Sequence, residues 1–496
     1  MMYLIWVIAI LSLYIYLRKI YNKFAALGIN NLPVIPIFGN IAPILLKQDS
    51  IMGTIHRNLL AFPDDKVVGF YKFMTPLYLI NDVELLKKII VKDFEYFVDR
   101  PSLPEEFKNS VFTKNLIALK GDKWKSMRLT LSPSFTGFKL RLMIPVMVDV
   151  TNHMMDHVKN KINESEVHYV DVETKDMIAR CITDIFASCA YGIKVNSTEG
   201  DNEFYVNCKQ ASDFSSWDML KMVLMRSYPK AASMFNWEMK QELCKFFSDL
   251  VMEVMTYRKE HNVVRNDMMH ILKEANKEWS NEYLVPQALL FQLAGFETVS
   301  SGLSFLLYEL AMHPDIQERL YQEIKENNES NNGKFDYNSV QTMTYLDMVL
   351  SEGLRLWPPV QNLERTCVKD YNIGKPNDKA KTDVIIRKDE EIWFNIWTLH
   401  RNPKYFPDPK KFDPERFSEE NKHKIKPFTF IPFGAGPRVC IGTRFALMEM
   451  KVMLYILLLN IEVMPCERTS IPIRLAVHDA FLRIKGGHWL RIKLRS

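Results

Sequence analysis

FGAGPRVCIG, Phe433 to Gly442, sets one cysteine among three glycines, a proline and an arginine. A cysteine that ligates a metal does so as a thiolate, and it needs help to stay ionised away from bulk water. Gly434, Gly436 and Gly442 allow the backbone to turn tightly and to come close to a flat object. RFALMEMKVMLYILLL (444–459) reads as a helix, so Cys440 falls just ahead of a helix N-terminus, where free N–H groups and the dipole favour negative charge. A lone cysteine builds neither a zinc nor an iron–sulfur site; the metal that suits it brings its own equatorial donors, as haem iron does. The same residues also describe a buried structural cysteine in a glycine turn, and chemistry alone leaves the two readings level.

The chain has 496 residues and a mass of 58.1 kDa, enough to bury a large core and enclose a cavity. Its composition is globular, 47% hydrophobic and 25% charged. The net charge of +5, with no long run of one sign, argues against a dedicated nucleic-acid binder. Cysteines at 181, 189, 208, 244, 367, 440 and 466 are odd in number, scattered and never in a CxxC pair. That fits neither a secreted disulfide framework nor a zinc site, so the folded part is read as facing a reducing compartment. The six other than Cys440 read as small hydrophobes or unremarkable thiols.

MMYLIWVIAILSLYIYL (1–17) carries no charge and is followed by Arg18, Lys19 and Lys23, the reverse of the order in a cleaved secretory signal. At 1.5 Å per residue it spans roughly 25 Å, close to the thinner hydrocarbon core of the endoplasmic reticulum. With no polar stripe it reads as a single-span anchor rather than an interfacial helix, and the basic cluster places everything from Arg18 onward in the cytosol. NNLPVIPIFGN, with Pro33, Pro36 and Gly39-Asn40, reads as the strap that ends a linker over 18–40, leaving a domain over 41–496.

From about residue 50 to 340 the period is helical, as in 140–162 and 244–261; VVGFYKF (67–73), LYLI (77–80) and TDVIIRK (382–388) read as short strands. KENNESNNGKF (325–335) reads as a solvated loop. No internal repeat or second composition regime is present, so the fold class is mainly α with small β-sheets in a single large domain. The methionines at 219, 222, 225, 234 and 239 read as ordinary core, with a cavity lining as the other reading.

The ten residues from Phe433 to Gly442 match the haem-binding signature of the cytochrome P-450 superfamily at every fixed position, and four further segments in the same order extend the resemblance along the chain. In WKSMR, Trp124 and Arg128 lie four apart on one helical face; the resemblance gives them to a haem propionate, with Arg438 and with Arg365 of LERTC. Phe433 and Gly434 belong to the haem-binding stretch itself. In LAGFETVS (293–300), Gly295, Glu297 and Thr298 are locally unfavourable in an apolar helix; the resemblance implies a distorted helix over the iron. There Thr298 would hold water and dioxygen and Glu297 would link the site to solvent protons. EGLR, followed by LWPP and FDPERF, implies a buried structural network of Glu352, Arg355 and Arg416. FVDRP (97–101) precedes a loop, 102–116, that with the region 205–240 would line a substrate entrance; PPVQNLE (358–364) would approach from another side, with Gln361 and Asn362 either orienting a ligand or facing solvent.

The resemblance thus implies a membrane-bound haem-thiolate (heme b) monooxygenase with a hydrophobic small-molecule substrate, of the branch holding insect detoxification and vertebrate drug- and steroid-oxidising members, nearer the insect ones. Its electrons would come from NADPH through a separate NADPH–cytochrome P-450 reductase, with cytochrome b5 as a second donor, since the chain has no GxGxxG motif. Lys123, Lys125, Lys422, Lys424, Lys426 and Arg444 are either an acidic-partner docking face or ordinary solubilising charges. Rival readings are a haem-thiolate isomerase or dehydratase, against which Glu297 and Thr298 argue, and a non-catalytic haem- or lipid-binding membrane protein. A cytosolic body makes one expectation direct: the sequons at Asn163, Asn196 and Asn328 stay unglycosylated in microsomes, and mass spectrometry of the three peptides checks it.

Overall fold

The apolar segment around LAGFETVS is hydrophobic on all its faces, the pattern of a helix buried on every side. In the computed structural model, which describes residues 2–103, 112–233, 240–263, 265, 267–275, 279–477 and 481–495, it forms one helix, Asn281–Met312, that runs through the middle of the largest core. It is unbroken α-helix through Gly295, Glu297 and Thr298, so the implied distortion is not seen. The reason is local: the Thr298 hydroxyl donates to the Ala294 carbonyl at 2.6 Å, which lets a polar residue stay inside the helical ladder. Gly295 serves packing instead. A Cβ there would stand 2.0 Å from the Phe186 ring, so the glycine admits the helix Thr174–Phe186 against this central one.

The helix expected after the cysteine is Thr443–Asn460, buried from Met448 to Leu458 and packed on the long helix Gly137–Glu164. The period over 244–261 is likewise a helix, Gln241–Glu260. Nine strands are described: β1 Val67–Lys72, β2 Thr75–Ile80, β3 Tyr169–Glu173, β4 Asn362–Thr366, β5 Tyr371–Gly374, β6 Val384–Ile386, β7 Glu391–Asn395, β8 Ile461–Met464 and β9 Trp489–Leu494. One sheet has the order β1-β2-β7-β4, with β2 and β7 parallel and the other pairs antiparallel; β3-β9-β8 and β5-β6 are small antiparallel sheets. The expected strands over 67–73, 77–80 and 382–388 correspond to β1, β2 and β6.

Two expectations change. The asparagine-rich segment is helical as far as Ser330, because Pro314 opens that helix and the Asn331 side chain donates to the Asn327 carbonyl at 2.7 Å at its end; only 331–335 leave it, beginning with a turn at 331–333. The segment 18–40 is not a free strap. The apolar helix continues to Tyr21 with its face exposed, whereas Phe24 and Ile29 are buried against β1 and β2. Gly69 makes room for the Phe24 ring, which a Cβ would meet at 2.4 Å. Tyr3–Tyr21 and the central helix are both long and apolar enough to cross a membrane, but the central one is mostly buried inside the protein and the amino-terminal one is not buried at all.

Two histidines are locked in the neutral form. His400 Nε2 accepts from the Ile431 N–H at 2.9 Å, so Nδ1 carries the proton towards the Arg355 carbonyl at 3.2 Å. Burial, reinforced by Arg355, pushes its pKa down from 6.5 to about 3; burial with Lys175 and Arg483 does the same to His488. Both folded values lie below the unfolded one, so the unfolded chain binds more protons between about pH 3 and 6.5. Stability is therefore complete above pH 6.5 and falls with acid, by about 2–3 kcal/mol per histidine at pH 4.5. Thermal-unfolding midpoints taken from pH 7.5 to 4.5 check this, and His400→Gln flattens the acid limb.

Candidate functional site

The cysteine segment folds back on itself. Cys440 N–H donates to the Phe433 carbonyl at 3.0 Å, Val439 N–H to Gly436 at 3.0 Å and Gly434 N–H to Ile431 at 2.9 Å. Gly434 and Gly436 have φ of +74° and +72°, where a side chain is strained, and a Cβ on Gly436 would stand 2.0 Å from the Ile90 carbonyl oxygen. Gly442 plays a different part from the one expected: its φ is −89° and it caps the helix Thr443–Asn460. Among the cysteines, Cys440 is the exposed one. Burial raises the pKa of Cys181, Cys189, Cys208 and Cys367, which keeps those four as thiols.

Cys440 opens into an apolar cavity of ≈ 240 Å³. Trp124 and Arg128 of the helix Gly121–Leu131, Thr298 of the central helix, Phe433, Gly434 and Arg438 all line it, so six of the residues singled out from sequence meet there with the cysteine. A smaller cavity of ≈ 110 Å³ shares Cys440 and Thr298 and extends towards Phe186 and Gly295.

Positive charge gathers on this cavity in excess of the acidic side chains described beside it. Arg438 is buried, stacks 4.0 Å from the Trp124 ring centroid, and donates to the carbonyls of Val98 (2.9 Å), Leu116 (3.2 Å) and Leu119 (2.9 Å). Asp99, at 3.8 Å, is its acidic neighbour. Burial, with Arg100 and Arg365 beside it, lowers its pKa to about 8. Arg365 falls to about 9 by burial and by Arg100; it stands behind the cavity wall instead of on it, and its buried Nε has no partner among the described residues. Arg128 and Arg100 are lowered by burial too. Like charges packed this way are costly unless an anion completes them. A group carrying two carboxylates fits the arrangement, which is what the haem propionates are, and the flanking apolar walls fit a flat macrocycle.

Arg100 was not singled out from sequence. It lines the cavity and donates to the Arg438 carbonyl at 3.3 Å. Its signal was available, an arginine inside FVDRP pinned between an acid and a proline, but an arginine before a loop reads as a surface charge until the fold brings Arg438 to it.

Glu297 does not join Thr298 on the cavity. Neighbours on a helix point about 100° apart, and the Glu297 carboxylate is buried on another face, 2.9 Å from Lys175 Nζ and 3.5 Å from Arg483 Nη2, with the Ser301 hydroxyl donating to it at 3.3 Å. Burial lowers the Lys175 pKa against the opposing pull of Glu297.

Glu352, Arg355 and Arg416 come together as expected. Arg355 Nε and Nη2 donate to the Glu352 carboxylate at 2.6 and 2.8 Å, both side chains being fully buried, and Arg416 Nε lies 3.4 Å away. Of the expected entrance, residues 104–111 and 234–239 lie outside the described residues, while Leu116 lines the cavity, as does Ile117 just beyond it. Met225 is buried core; Met222 lines a separate chamber with Gln361 and Asn362. Gln361 is buried and donates to the Pro359 carbonyl at 2.6 Å, and the half-buried Asn362 accepts from Asn395 at 2.7 Å. Of the six basic residues, Lys125, Lys422 and Lys426 are paired with Asp122, Glu419 and Glu84.

The two positive-φ glycines separate strain from collision. Gly434→Ala meets only Leu363 at 3.5 Å and costs about 1–2 kcal/mol of backbone strain. Gly436→Ala adds the overlap with the Ile90 carbonyl, so its thermal midpoint falls further and its haem content drops.

The family model described as Cytochrome P450 matches residues 30–490. The chain is similar to cytochrome P450 9e2 of Blattella germanica, 36% identical over 99% of this chain and 98% of that one. It also resembles the probable cytochrome P450 9f2 of Drosophila melanogaster, 34% identical over 92% of each, and cytochrome P450 6k1 of Blattella germanica, 34% identical over 96% and 94%. The insect character read from the sequence agrees with these relatives. With the geometry of the cysteine loop and an extended match of this kind, the chain belongs to the cytochrome P450 family, whose members bind haem through a cysteine thiolate and act as monooxygenases.

Proposed function

We propose that Cys440 would ligate the haem iron through its thiolate and that the chain is a membrane-anchored monooxygenase of small hydrophobic molecules, driven by NADPH through a separate reductase. The observation that carries this reading is the accessible cysteine facing an apolar cavity that Arg100, Arg128 and Arg438 also face. When bound, the haem supplies electron transfer and the activation of dioxygen. Arg438, pinned by three backbone carbonyls, and Arg128 would hold the propionates, with Arg100 and Arg365 adding charge from beside and behind. The helix Thr443–Asn460 begins just past the cysteine, and the free N–H groups of a helix amino end favour negative charge there.

Thr298 spends its proton on Ala294, so towards the cavity its oxygen serves as an acceptor that fixes a water. Glu297 would take the proton-delivery part from the far face of the helix, where Lys175 and Arg483 hold its carboxylate. Exposed Lys123, Lys424 and Arg444, with the three paired lysines around them, form the face offered to an acidic redox partner. Tyr3–Tyr21 anchors the chain in the endoplasmic reticulum membrane.

The protein expressed with haem, reduced and exposed to carbon monoxide gives the strongly red-shifted thiolate band, and Cys440→Ser abolishes it together with NADPH-dependent oxygenation by added reductase. A histidine-type band in the wild type, or a thiolate band that survives Cys440→Ser, overturns the assignment.

A further inference from the structure

A second chamber of ≈ 240 Å³ lies against the first, and Pro359 and Val360 belong to the walls of both. Ile41, Met222, Val223 and Phe481 give it apolar walls and the neutral amides Gln361 and Asn362 line it as well, but four ionised side chains stand in it or at its edge. Arg226, from the helix Ser216–Ser227, gives Nη2 to Glu364 at 2.8 Å and lies 3.6 Å from Glu391. Lys72 pairs with the same Glu391 and lies 5.2 Å from the Trp393 ring centroid.

The two cations and two carboxylates balance. Desolvation works against Arg226, but Glu364 and Glu391 outweigh it and raise its pKa, so the guanidinium is charged at any physiological pH. Its hydrogen bonding is incomplete all the same. The carboxylates engage Nη2 alone; Nε is buried with no partner, and Nη1 has none among the described residues. An arginine fork has five donors, and a buried one left open costs free energy until an acceptor closes it.

We infer that this antechamber is a recognition site for an uncharged oxygen acceptor, an ester, ketone or ether, on an otherwise apolar substrate, and that Arg226 reads it. The inference rests on the reading that substrate is oxidised in the Cys440 cavity. Charge balance selects against ions: an anion must compete with Glu364 and Glu391 for the cations, and a cation with Lys72 and Arg226 for the carboxylates, each after its own desolvation. A neutral acceptor takes the Nη1 N–H groups, which no described residue engages, and leaves the balance intact. The apolar remainder of the molecule then lies along Pro359 and Val360 towards the cysteine.

Equilibrium dialysis of the full-length protein in detergent against methyl decanoate, decanoate and undecane tests this without relying on turnover. Methyl decanoate binds about tenfold tighter than undecane, and decanoate binds no tighter than the ester. The charge-conserving pair Arg226→Met with Glu391→Gln brings the ester down to the affinity of undecane. Val223→Trp, which fills the chamber and touches no charge, has the same effect and guards against a folding defect in the pair. An ester preference that persists in both variants, or decanoate as the tightest ligand, overturns the inference. A carbon monoxide spectrum of the same samples reports separately on Cys440: absence of the thiolate band in the wild type refutes the haem reading, while the dialysis ratios still decide the role of Arg226.

Discussion

The Glu352–Arg355 pair is the contact through which the loops around the cysteine are organised. Both side chains are fully buried, where an ion pair contributes little net stability of its own because desolvation offsets the attraction. What it contributes is satisfaction of loop backbone that has no ladder to join. Arg355 donates to the carbonyls of His400, Pro409 and Lys411, and Glu352 accepts the Asp413 N–H. His400 is thereby fixed, and its Nε2 holds the Ile431 N–H; the Ile431 carbonyl in turn accepts from Gly434, where the cysteine loop begins. The position of Cys440 is thus set by a helical i, i+3 pair distant in sequence, through hydrogen bonds that leave neither partner free to relax.

The cavity beside the loop has the opposite character. The Glu352–Arg355 pair is neutral and its hydrogen bonds are made, whereas the cavity's arginines are crowded against one another, with Arg438 held near a pKa of about 8 by burial and by its neighbours. A protein does not collect such charge for stability. The cationic cluster and the accessible thiol make sense together: one holds the rim of a dianionic group, the other its centre, and the apolar walls between them need neither charge nor hydrogen bond.

Much of this was legible in the sequence where a residue's role is written in its own backbone demand or in a local period. Positive φ at Gly434 and Gly436, the helix after Cys440 and the strands β1 and β2 are of that kind. Glu352, Arg355 and Arg416 were legible because three short motifs occur in order. Side-chain direction was not. Glu297 and Thr298 read as a pair because they are adjacent, yet adjacency on a helix separates them, and the partners that hold Glu297, Lys175 and Arg483, come from remote parts of the chain. Arg100 and the Arg226 chamber were invisible for the same reason. The docking of Phe24 on Gly69 depends on a space that only the folded sheet reveals.

Arg483 shows how far such remote partners couple the molecule. It reaches Glu297 at 3.5 Å, Asp213 at 3.2 Å and the Ser212 carbonyl at 3.3 Å, so one guanidinium joins the acidic face of the central helix to the end of the helix Glu203–Ser212. Any shift of that helix end changes the positive charge felt by a carboxylate that is 1% exposed and has Lys175 as its other cation. In so buried a place the change is large, because little solvent is present to screen it. The end of the helix Glu203–Ser212 and the Glu297 carboxylate are therefore parts of one electrostatic unit, although Asp213, Arg483, Lys175 and Glu297 all stand off the cysteine's chamber.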